Sequence, residues 1–372
     1  GKTEQVIRAI EQDAASGIRC FLLVPEQQAY ISERDLTARL PSSAGRCFEI
    51  VNFSRLAEDV FRVYGGVAQN AVSGGARALL MWDTLRRLSP SLRQYGRSAR
   101  ADAALTAKML SALEELRNNG IDSDRLEEAA AALPDGSALR AKLNDLALID
   151  AAFGAASGES LGMGAAERLL RLAALLEEHA YFSGSRIYID SFTSFTAPEY
   201  AVLRALLHQA DCVTVALCTD GPRSRMMHFE SVNRTARRLL RMADDAGVQA
   251  EQQPLPPRSA GKPAELCILE RELWDFRLVR SGREFPPQGE PRAVHTLVCS
   301  NLYEEAEACA IRILGLIQNG MHYGDIAVVV RDTETYRGVL DAALERYGIP
   351  YFLSERTDLS CKPLARLILS AL

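Results

Sequence analysis

Short apolar runs alternate with segments of helical periodicity toward both ends of the chain. Residues 20–24, 47–53, 187–189 and 212–218 are rich in β-branched and aromatic side chains, which is typical of strands that are buried on both faces of a sheet. Helical patterns lie between these runs, so consecutive strands are joined by crossover connections. The pattern predicts an α/β fold that is built on a parallel sheet.

The strand signal is absent from residues 67–182. Five segments in this region repeat apolar residues at helical spacing, and breaks that contain glycine or proline separate them. The region therefore predicts a large all-helical insertion. Its first third is locally basic, and this surface could face DNA, although a solvated helix face is the default interpretation. The residues concerned are Trp82, Arg86, Arg87, Arg93, Arg97 and Arg100. The five segments are residues 77–88, 101–118, 124–133, 137–153 and 165–179.

Two further apolar runs, residues 294–299 and 326–330, predict strands of a second sheet, and a helical pattern follows each of them. We therefore expect two α/β domains in addition to the insertion. The predicted domains are residues 1–66 together with 183–290 for the first α/β domain, 67–182 for the helical insertion, and 291–372 for the start of a truncated second α/β domain.

The composition is that of a globular protein: 48% of the 372 residues are hydrophobic and 24% are charged. The net charge of −5 gives no global basic signal for nucleic acid, so arginines have to be judged site by site. The eight cysteines contain no C-x-x-C pair, which indicates reduced core residues of a cytoplasmic protein. No apolar run approaches about eighteen residues, so we expect no membrane partner. The chain starts at Gly1 rather than methionine, so it is cut or begins where order begins.

The chain opens with Gly1-Lys2-Thr3, the last three residues of a phosphate-binding loop. In such a loop, backbone N–H groups and the lysine bind phosphates, and the hydroxyl binds Mg²⁺. Three residues alone can occur by chance, but the helical pattern and strand that follow favour the phosphate-binding interpretation. The predicted strand at 187–189 leads into Asp190, where an aspartate can hold the nucleotide's magnesium ion. Ser191 follows it, at a position where many helicases have a glutamate that activates water.

Polar and aromatic residues follow two other predicted strands. Gln27 lies after the first strand, and Phe53 and Arg55 lie after the second, all in loops at the strand ends. The favoured interpretation is that Phe53 packs in the core and Arg55 pairs with a carboxylate. The alternative is a stacking ring and a guanidinium placed to bind single-stranded nucleic acid.

Five segments in order along the chain resemble the AddB/RexB family: GKT, LLVPEQQAY, VNFSRLA, IDSFTSFTAPEYAVLRALL and YGDIAVVVRDTETYRGVLDAALERYGIPYFL. This family comprises the B subunits of bacterial AddAB-type helicase-nucleases, whose N-terminal half is similar to superfamily 1 helicases. The resemblance implies a RecA-like P-loop NTPase fold, with the helical insertion inside the first RecA-like domain and part of a second one after it.

The resemblance also implies site residues. Nucleotide would bind at Gly1, Lys2, Thr3, Asp190 and Arg331, with Thr3 and Asp190 holding Mg²⁺ only together with ATP. DNA would bind at Gln27, Phe53, Ser54 and Arg55. No residue is assigned a catalytic role, and no cysteine is assigned to the family's iron-sulfur cluster.

The function implied by the resemblance is to bind and scan single-stranded DNA beside a translocating A subunit, during double-strand break repair in the cytoplasm. Because Ser191 replaces the glutamate, we expect little or no catalysis by this chain. Two alternatives stay open: an active ATP-dependent superfamily 1 helicase, and a scaffold that binds partners without contacting DNA.

Overall fold

The computed structural model describes most of the chain, and the segments it describes fall into two compact units, Gly1–Ala260 and Gly261–Leu372. The described residues are 1–39, 47–65, 74–96, 103–160, 164–224, 226–255, 261–273, 293–353 and 362–371.

The first unit contains the predicted parallel sheet. Its strands are β1 (Arg19–Leu23), β2 (Phe48–Val51), β3 (Ser185–Ile189) and β4 (Cys212–Val215). They are hydrogen-bonded in the order β2-β1-β3-β4, and every neighbouring pair is parallel. The prediction of an α/β fold on a parallel sheet is therefore confirmed.

Helices cover both faces of this sheet. Because side chains alternate along a strand, Phe21 and Leu23 of β1 belong to one core cluster, while Cys20 and Leu22 belong to another. The first cluster packs against α3, α8, α9 and α10, and the second packs against α1 and α2. These helices are α1 (Lys2–Ala15), α2 (Glu26–Arg39), α3 (Phe53–Tyr64), α8 (Ala165–Glu178), α9 (Ala197–Gln209) and α10 (Glu230–Asp245).

Four more helices lie between α3 and α8, where the sequence predicts an insertion without strands. They surround their own cluster, which includes Met81, Leu113, Ile149 and Phe153. The helical segments predicted for this region are confirmed, with ends that differ by up to seven residues: α7 continues to Ser160, past the break predicted after 153. The four helices are α4 (Gly74–Leu88), α5 (Ala103–Asn118), α6 (Ser123–Ala131) and α7 (Ala138–Ser160).

The expectation that β4 is a buried strand is wrong. Its side chains alternate between exposed and half-buried, with Cys212 and Thr214 on the exposed side. The reason is its position: β4 ends the sheet in the described part of the chain, so it is covered less than β1 and β3. The cysteines were expected in the core. Cys20 is buried there, whereas Cys212 and Cys218 are exposed. Cys361 lies outside the described residues.

The second unit has a small core in which Ala310 and Ile313 pack against Leu340 and Leu344. The strands predicted at 294–299 and 326–330 are absent from the described residues. A strand needs a neighbouring backbone to satisfy its N–H and C=O groups, and residues 294–299 and 326–330 pair with no strand in the part of the chain that the structure describes. The helices of this unit are α11 (Ala264–Glu272), α12 (Leu302–Gln318), α13 (Thr333–Tyr336), α14 (Leu340–Arg346) and α15 (Pro363–Ala371).

No helix in the described part of the chain combines the length and the apolar character that a membrane crossing requires.

Candidate functional site at the carboxyl edge of the sheet

The strand order creates a crevice between the carboxyl ends of β1 and β3. From β1 the chain crosses to β2 on one side, and it then returns to place β3 on the other side of β1. In open α/β sheets, ligands bind outside the carboxyl ends of the strands at such a reversal. Asp190 directly follows β3 at this point, and its N–H donates to the carbonyl oxygen of Leu23 over 3.1 Å.

Three side chains that the sequence predicted to act together meet at this crevice. Lys2 Nζ lies 2.9 Å from Asp190 Oδ1, and Thr3 Oγ1 donates to Asp190 Oδ2 over 2.7 Å. The side chain of Asp190 is only 3% exposed, whereas that of Lys2 is 30% exposed. The ammonium group therefore neutralises a buried carboxylate while keeping an open side.

The first turn of α1 brings Lys2 and Thr3 to this place. The helix precedes β1 and is antiparallel to it. Its N-cap is Gly1, which has no side chain that could accept a hydrogen bond from the first turn. A helix N-terminus carries unsatisfied N–H groups and a partial positive charge, which together bind phosphate. With the Thr3 hydroxyl and the Asp190 carboxylate as hard oxygen ligands, these groups could hold a nucleotide phosphate and its Mg²⁺.

The backbone turns sharply at Ser191. Its φ of 69° makes it the one non-glycine residue with positive φ in the described part of the chain, a conformation that costs free energy for residues with a Cβ. Ser191 is exposed. A serine hydroxyl is a poor general base near neutral pH, so the position beside Asp190 offers no group that activates water.

The next carboxylate along the chain is already engaged. Glu199 accepts a hydrogen bond from the N–H of Thr196 over 2.6 Å, and the Thr196 hydroxyl accepts one from the N–H of Glu199. This capping box begins α9 and satisfies two of its free N–H groups. Glu199 is therefore a structural residue that holds the end of the loop.

An aromatic cluster lies beneath this loop. The Phe53 ring is 6% exposed and meets the rings of Phe192 and Phe195 edge-on, at centroid distances of 5.8 and 6.3 Å. Tyr200 extends the cluster at 5.5 Å from Phe195. The Phe53 ring is thus packed in the core and joins the end of β2 to the loop after β3.

The prediction that the DNA-binding candidates lie in loops is wrong, because both connections turn directly into helices. Gln27 lies in the first turn of α2, just after Pro25. Asn52 caps α3, accepting a hydrogen bond from the N–H of Arg55 over 2.8 Å, so Ser54 and Arg55 lie in its first turn. Gln27, Ser54 and Arg55 are all exposed.

The expected ion pair of Arg55 is also absent. Within the described segments, no carboxylate lies within 4.0 Å of its guanidinium. The guanidinium therefore stays open to solvent.

Arg331 belongs to the second unit. It is exposed and directly follows the extended segment 326–330. Its neighbour Asp332 accepts a hydrogen bond from the N–H of Glu334 and so caps α13.

Sequence analysis missed the role of α10 at this edge. Thr219, in the connection after β4, hydrogen-bonds to Asn233, which is completely buried. The hydroxyl of Thr235 donates to the carbonyl oxygen of Thr193 over 3.0 Å, so α10 is fixed to the loop after β3 as well. The signal that could have found this contact is the pair of polar residues on the otherwise apolar face of an amphipathic helix.

A second polar group, on the opposite face of the sheet from the aromatic cluster, is structural. Asp13 accepts hydrogen bonds from Arg186 over 2.7 Å and from the Tyr188 hydroxyl over 2.5 Å. Burial, together with the hydrogen bond to Asp13, raises the pKa of Tyr188 above its ordinary value. Burial also raises the pKa of the nearby Cys20 thiol to about 11. Both groups therefore stay protonated near neutral pH.

A preformed metal cluster is not part of this site: nowhere in the described segments do three or more His, Cys, Asp or Glu side chains converge on one point. A divalent cation at Thr3 and Asp190 would need further ligands from its nucleotide.

Comparison with known proteins identifies relatives along the whole chain. The family model described as "ADDB, N-terminal" matches residues 1–270. A protein of Desulforudis audaxviator, named as the B subunit of an ATP-dependent helicase/deoxyribonuclease, is 32% identical over 391 residues, which cover 100% of this chain and 32% of that protein. Proteins of the same name from Acetivibrio thermocellus and Clostridium tetani are each 28% identical, over 100% and 99% of this chain and 33% and 32% of their own lengths. The chain thus spans about a third of the length of these relatives.

Proposed function

The chain belongs to the family of AddB N-terminal regions, and from that premise we propose that it is a helicase-like module that binds and scans single-stranded DNA without driving translocation. The observation that carries the proposal is the exposed Ser191 beside Asp190, at the edge where Lys2 and Thr3 converge. The site keeps groups that bind phosphate and lacks a base beside them.

Nucleotide binding is the first part of the proposal. In a RecA-like P-loop core, the N-terminus of α1 and Lys2 hold the phosphates, and Thr3 and Asp190 hold Mg²⁺. The arrangement of these three side chains supports this assignment, because Lys2 and Thr3 already contact the carboxylate. When bound, Mg²⁺ neutralises phosphate charge. Arg331, in the second unit, is a further nucleotide-binding candidate that the resemblance to the family implies.

Weak hydrolysis is the second part. Attack on the γ-phosphate requires a group that positions or activates water. Ser191 is a poor base, and Glu199 is held by the capping box of α9. Bound ATP would therefore stabilise the fold of the module and turn over slowly.

DNA binding is the third part. Gln27, Ser54 and Arg55 are exposed in helical first turns that follow β1 and β2. Their N–H, hydroxyl and guanidinium groups suit a phosphodiester backbone and base edges. The buried ring of Phe53 packs against Phe192 and Phe195. This packing fixes the first turn of α3, which carries Ser54 and Arg55.

A partner subunit completes the proposal. The relatives are named as the B subunit of a helicase/deoxyribonuclease, and a module with weak hydrolysis needs a separate motor to move DNA. We assign that role to an A subunit of the AddA/RexA type, in double-strand break repair in the cytoplasm.

The test compares nucleotide binding with turnover. We expect the protein to bind Mg²⁺·ATP in a calorimetric titration and Lys2→Ala to lose most of this affinity. The ATPase rate should be equally low in both proteins, with and without single-stranded DNA. Lys108→Ala, which removes an exposed lysine from α5, is the matched control and should bind like the wild type.

Two outcomes would overturn the proposal. A DNA-stimulated ATPase that disappears in Lys2→Ala would identify an active helicase. No detectable binding of single-stranded DNA at any salt concentration would favour a scaffold.

A further inference from the structure

Helix α10 presents a row of arginines to solvent. Arg234, Arg237, Arg238 and Arg241 are all exposed, and their spacing places them along one side of the helix. The opposite side packs into the core through Val232, Asn233, Thr235, Ala236, Met242 and Ala243. We refer to the four arginines as the α10 row.

Most of the positive charge of this row is not neutralised. Arg234 pairs with Glu230 at 3.2 Å. The other three arginines make no ion pair with any described residue. The remaining carboxylates of the helix, Asp244 and Asp245, follow Arg241 by three and four residues on the same side, and neither forms an ion pair with it.

Arg238 is held in a fixed orientation. Its guanidinium carbon lies 3.7 Å from the centre of the Tyr200 ring, and that ring is 6% exposed and packed against Phe195. Stacking on an aromatic ring orients the planar guanidinium and lowers the entropy lost when its N–H groups bind an anion.

Two neighbouring arginines are also ordered by backbone contacts. Arg237 donates to the carbonyl oxygen of Pro222 over 3.0 Å, in the connection after β4. Arg241 donates to the carbonyl oxygen of Arg237 over 3.4 Å. Each contact uses one side of a guanidinium that has five N–H donors, so donors remain for a ligand.

A hydrogen bond anchors α10 to the loop after Asp190. Thr235, one turn before Arg238, donates to the carbonyl oxygen of Thr193 in the loop after Asp190. That loop also exposes Ser191, Thr193 and Ser194. The helix that carries the α10 row is therefore fixed to the loop that carries these exposed hydroxyl groups.

From these observations we infer that the α10 row binds the phosphodiester backbone of a single-stranded nucleic acid. Repeated phosphates match repeated guanidinium groups, and arginine binds phosphate in a bidentate manner. The inference rests on the proposed function and extends it, because it adds a phosphate-binding segment that is separate from Gln27, Ser54 and Arg55.

The test is a salt titration of single-strand affinity. The triple variant Arg237→Gln, Arg238→Gln, Arg241→Gln should bind a fluorescent oligonucleotide about 10- to 100-fold more weakly at low salt. The slope of log K against log salt should fall by about 2, since each lost phosphate contact removes ~0.7. The corresponding triple lysine variant keeps the charges and should keep most of the slope.

The control removes the same charge elsewhere. Arg62→Gln, Arg125→Gln, Arg204→Gln changes three exposed arginines of α3, α6 and α9 and should leave the slope unchanged. Thermal unfolding of every variant establishes that it is folded at the temperature of the titration.

The outcomes separate the two proposals. If the wild type binds DNA and the glutamine variant binds it equally well, the inference about the α10 row fails while the proposed function stands. An equal loss in the control variant would show a general charge effect and overturn the inference. The inference would also be overturned if the glutamine variant kept its DNA binding and lost affinity for an A-subunit partner. The row would then be a protein interface. Failure of the wild type to bind DNA would overturn both proposals.

Discussion

At the residue scale, Asp190 and Ser191 are adjacent in the chain but have opposite surroundings. Asp190 is 2% exposed and neutralised by Lys2, while Ser191 is exposed in a left-handed conformation. The buried carboxylate fits the role of a fixed ligand, because a lysine and a threonine determine its position. The exposed serine ends the strand and turns the chain toward α9.

Phe53 and Arg55 allow packing and DNA contact to be separated by mutation. Phe53→Leu preserves an apolar side chain in the cluster, so we expect it to lower the free energy of unfolding by about 1 kcal/mol and to leave DNA affinity within about twofold. Arg55→Ala should change the free energy of unfolding by less than about 0.5 kcal/mol. It should also weaken DNA binding, with a salt slope lower by ~0.7.

Urea unfolding and fluorescence anisotropy measure the two quantities for each variant. Ser54→Ala is a neighbouring control for stability. The assignment of Phe53 to the core would be wrong if Phe53→Leu kept its stability and lost DNA binding, since that result would identify a ring that stacks on a base.

At the scale of elements, a buried carboxylate of α7 joins parts of the helical region between α3 and α8. Asp145 of α7 is 3% exposed and accepts hydrogen bonds from three consecutive N–H groups, those of Arg93, Gln94 and Tyr95, over 3.0, 2.7 and 3.1 Å. These bonds fix the end of the connection after α4 against α7. No periodicity in the sequence indicates them, because the partners are about fifty residues apart.

Asp145→Asn should therefore destabilise the chain. An amide offers one oxygen in place of two, so at least one buried N–H loses its acceptor, and we expect a loss of about 2–3 kcal/mol in the free energy of unfolding. Asp135→Asn is the control, because its side chain is 94% exposed, and it should cost less than about 0.5 kcal/mol. Equal effects of the two substitutions in urea unfolding would contradict a structural role for Asp145.

The predicted elements of the first unit agree with the structure because each has a strong local pattern. The strands are short apolar runs, and the helices repeat apolar residues every three or four positions. The prediction was wrong for 294–299 and 326–330, where the apolar pattern is just as clear but Val298 and Val329 are 93% and 91% exposed. An apolar run indicates that a segment favours burial. Whether the segment becomes part of a sheet depends on a neighbouring strand that pairs with its backbone.

At the scale of the whole molecule, each hydrophobic cluster is formed within one unit. The three clusters around Phe21, Met81 and Ile10 consist of residues before 261, and the cluster around Ala310 consists of residues after it. A unit that contains its own core can fold by itself.

A fragment of residues 1–260 should therefore fold alone. We expect its urea unfolding midpoint to match the corresponding transition of the full chain, and its affinity for single-stranded DNA to be retained, because Arg55 and α10 belong to this unit. Circular dichroism and anisotropy measure both properties. A fragment that is unfolded, or that unfolds at a clearly lower urea concentration, would contradict this independence.

The sequence alone determined the strands and helices of the first unit and the candidate residues for phosphate binding, because these predictions depend on local periodicity and side-chain chemistry. Only the tertiary structure decided which strands are neighbours and that Lys2 reaches a carboxylate 188 residues away. It also decided that the ring of Phe53 is buried while the guanidinium of Arg55 is not. The physical reason is that patterns along a chain specify which face of an element is apolar, whereas packing between distant elements specifies what covers that face.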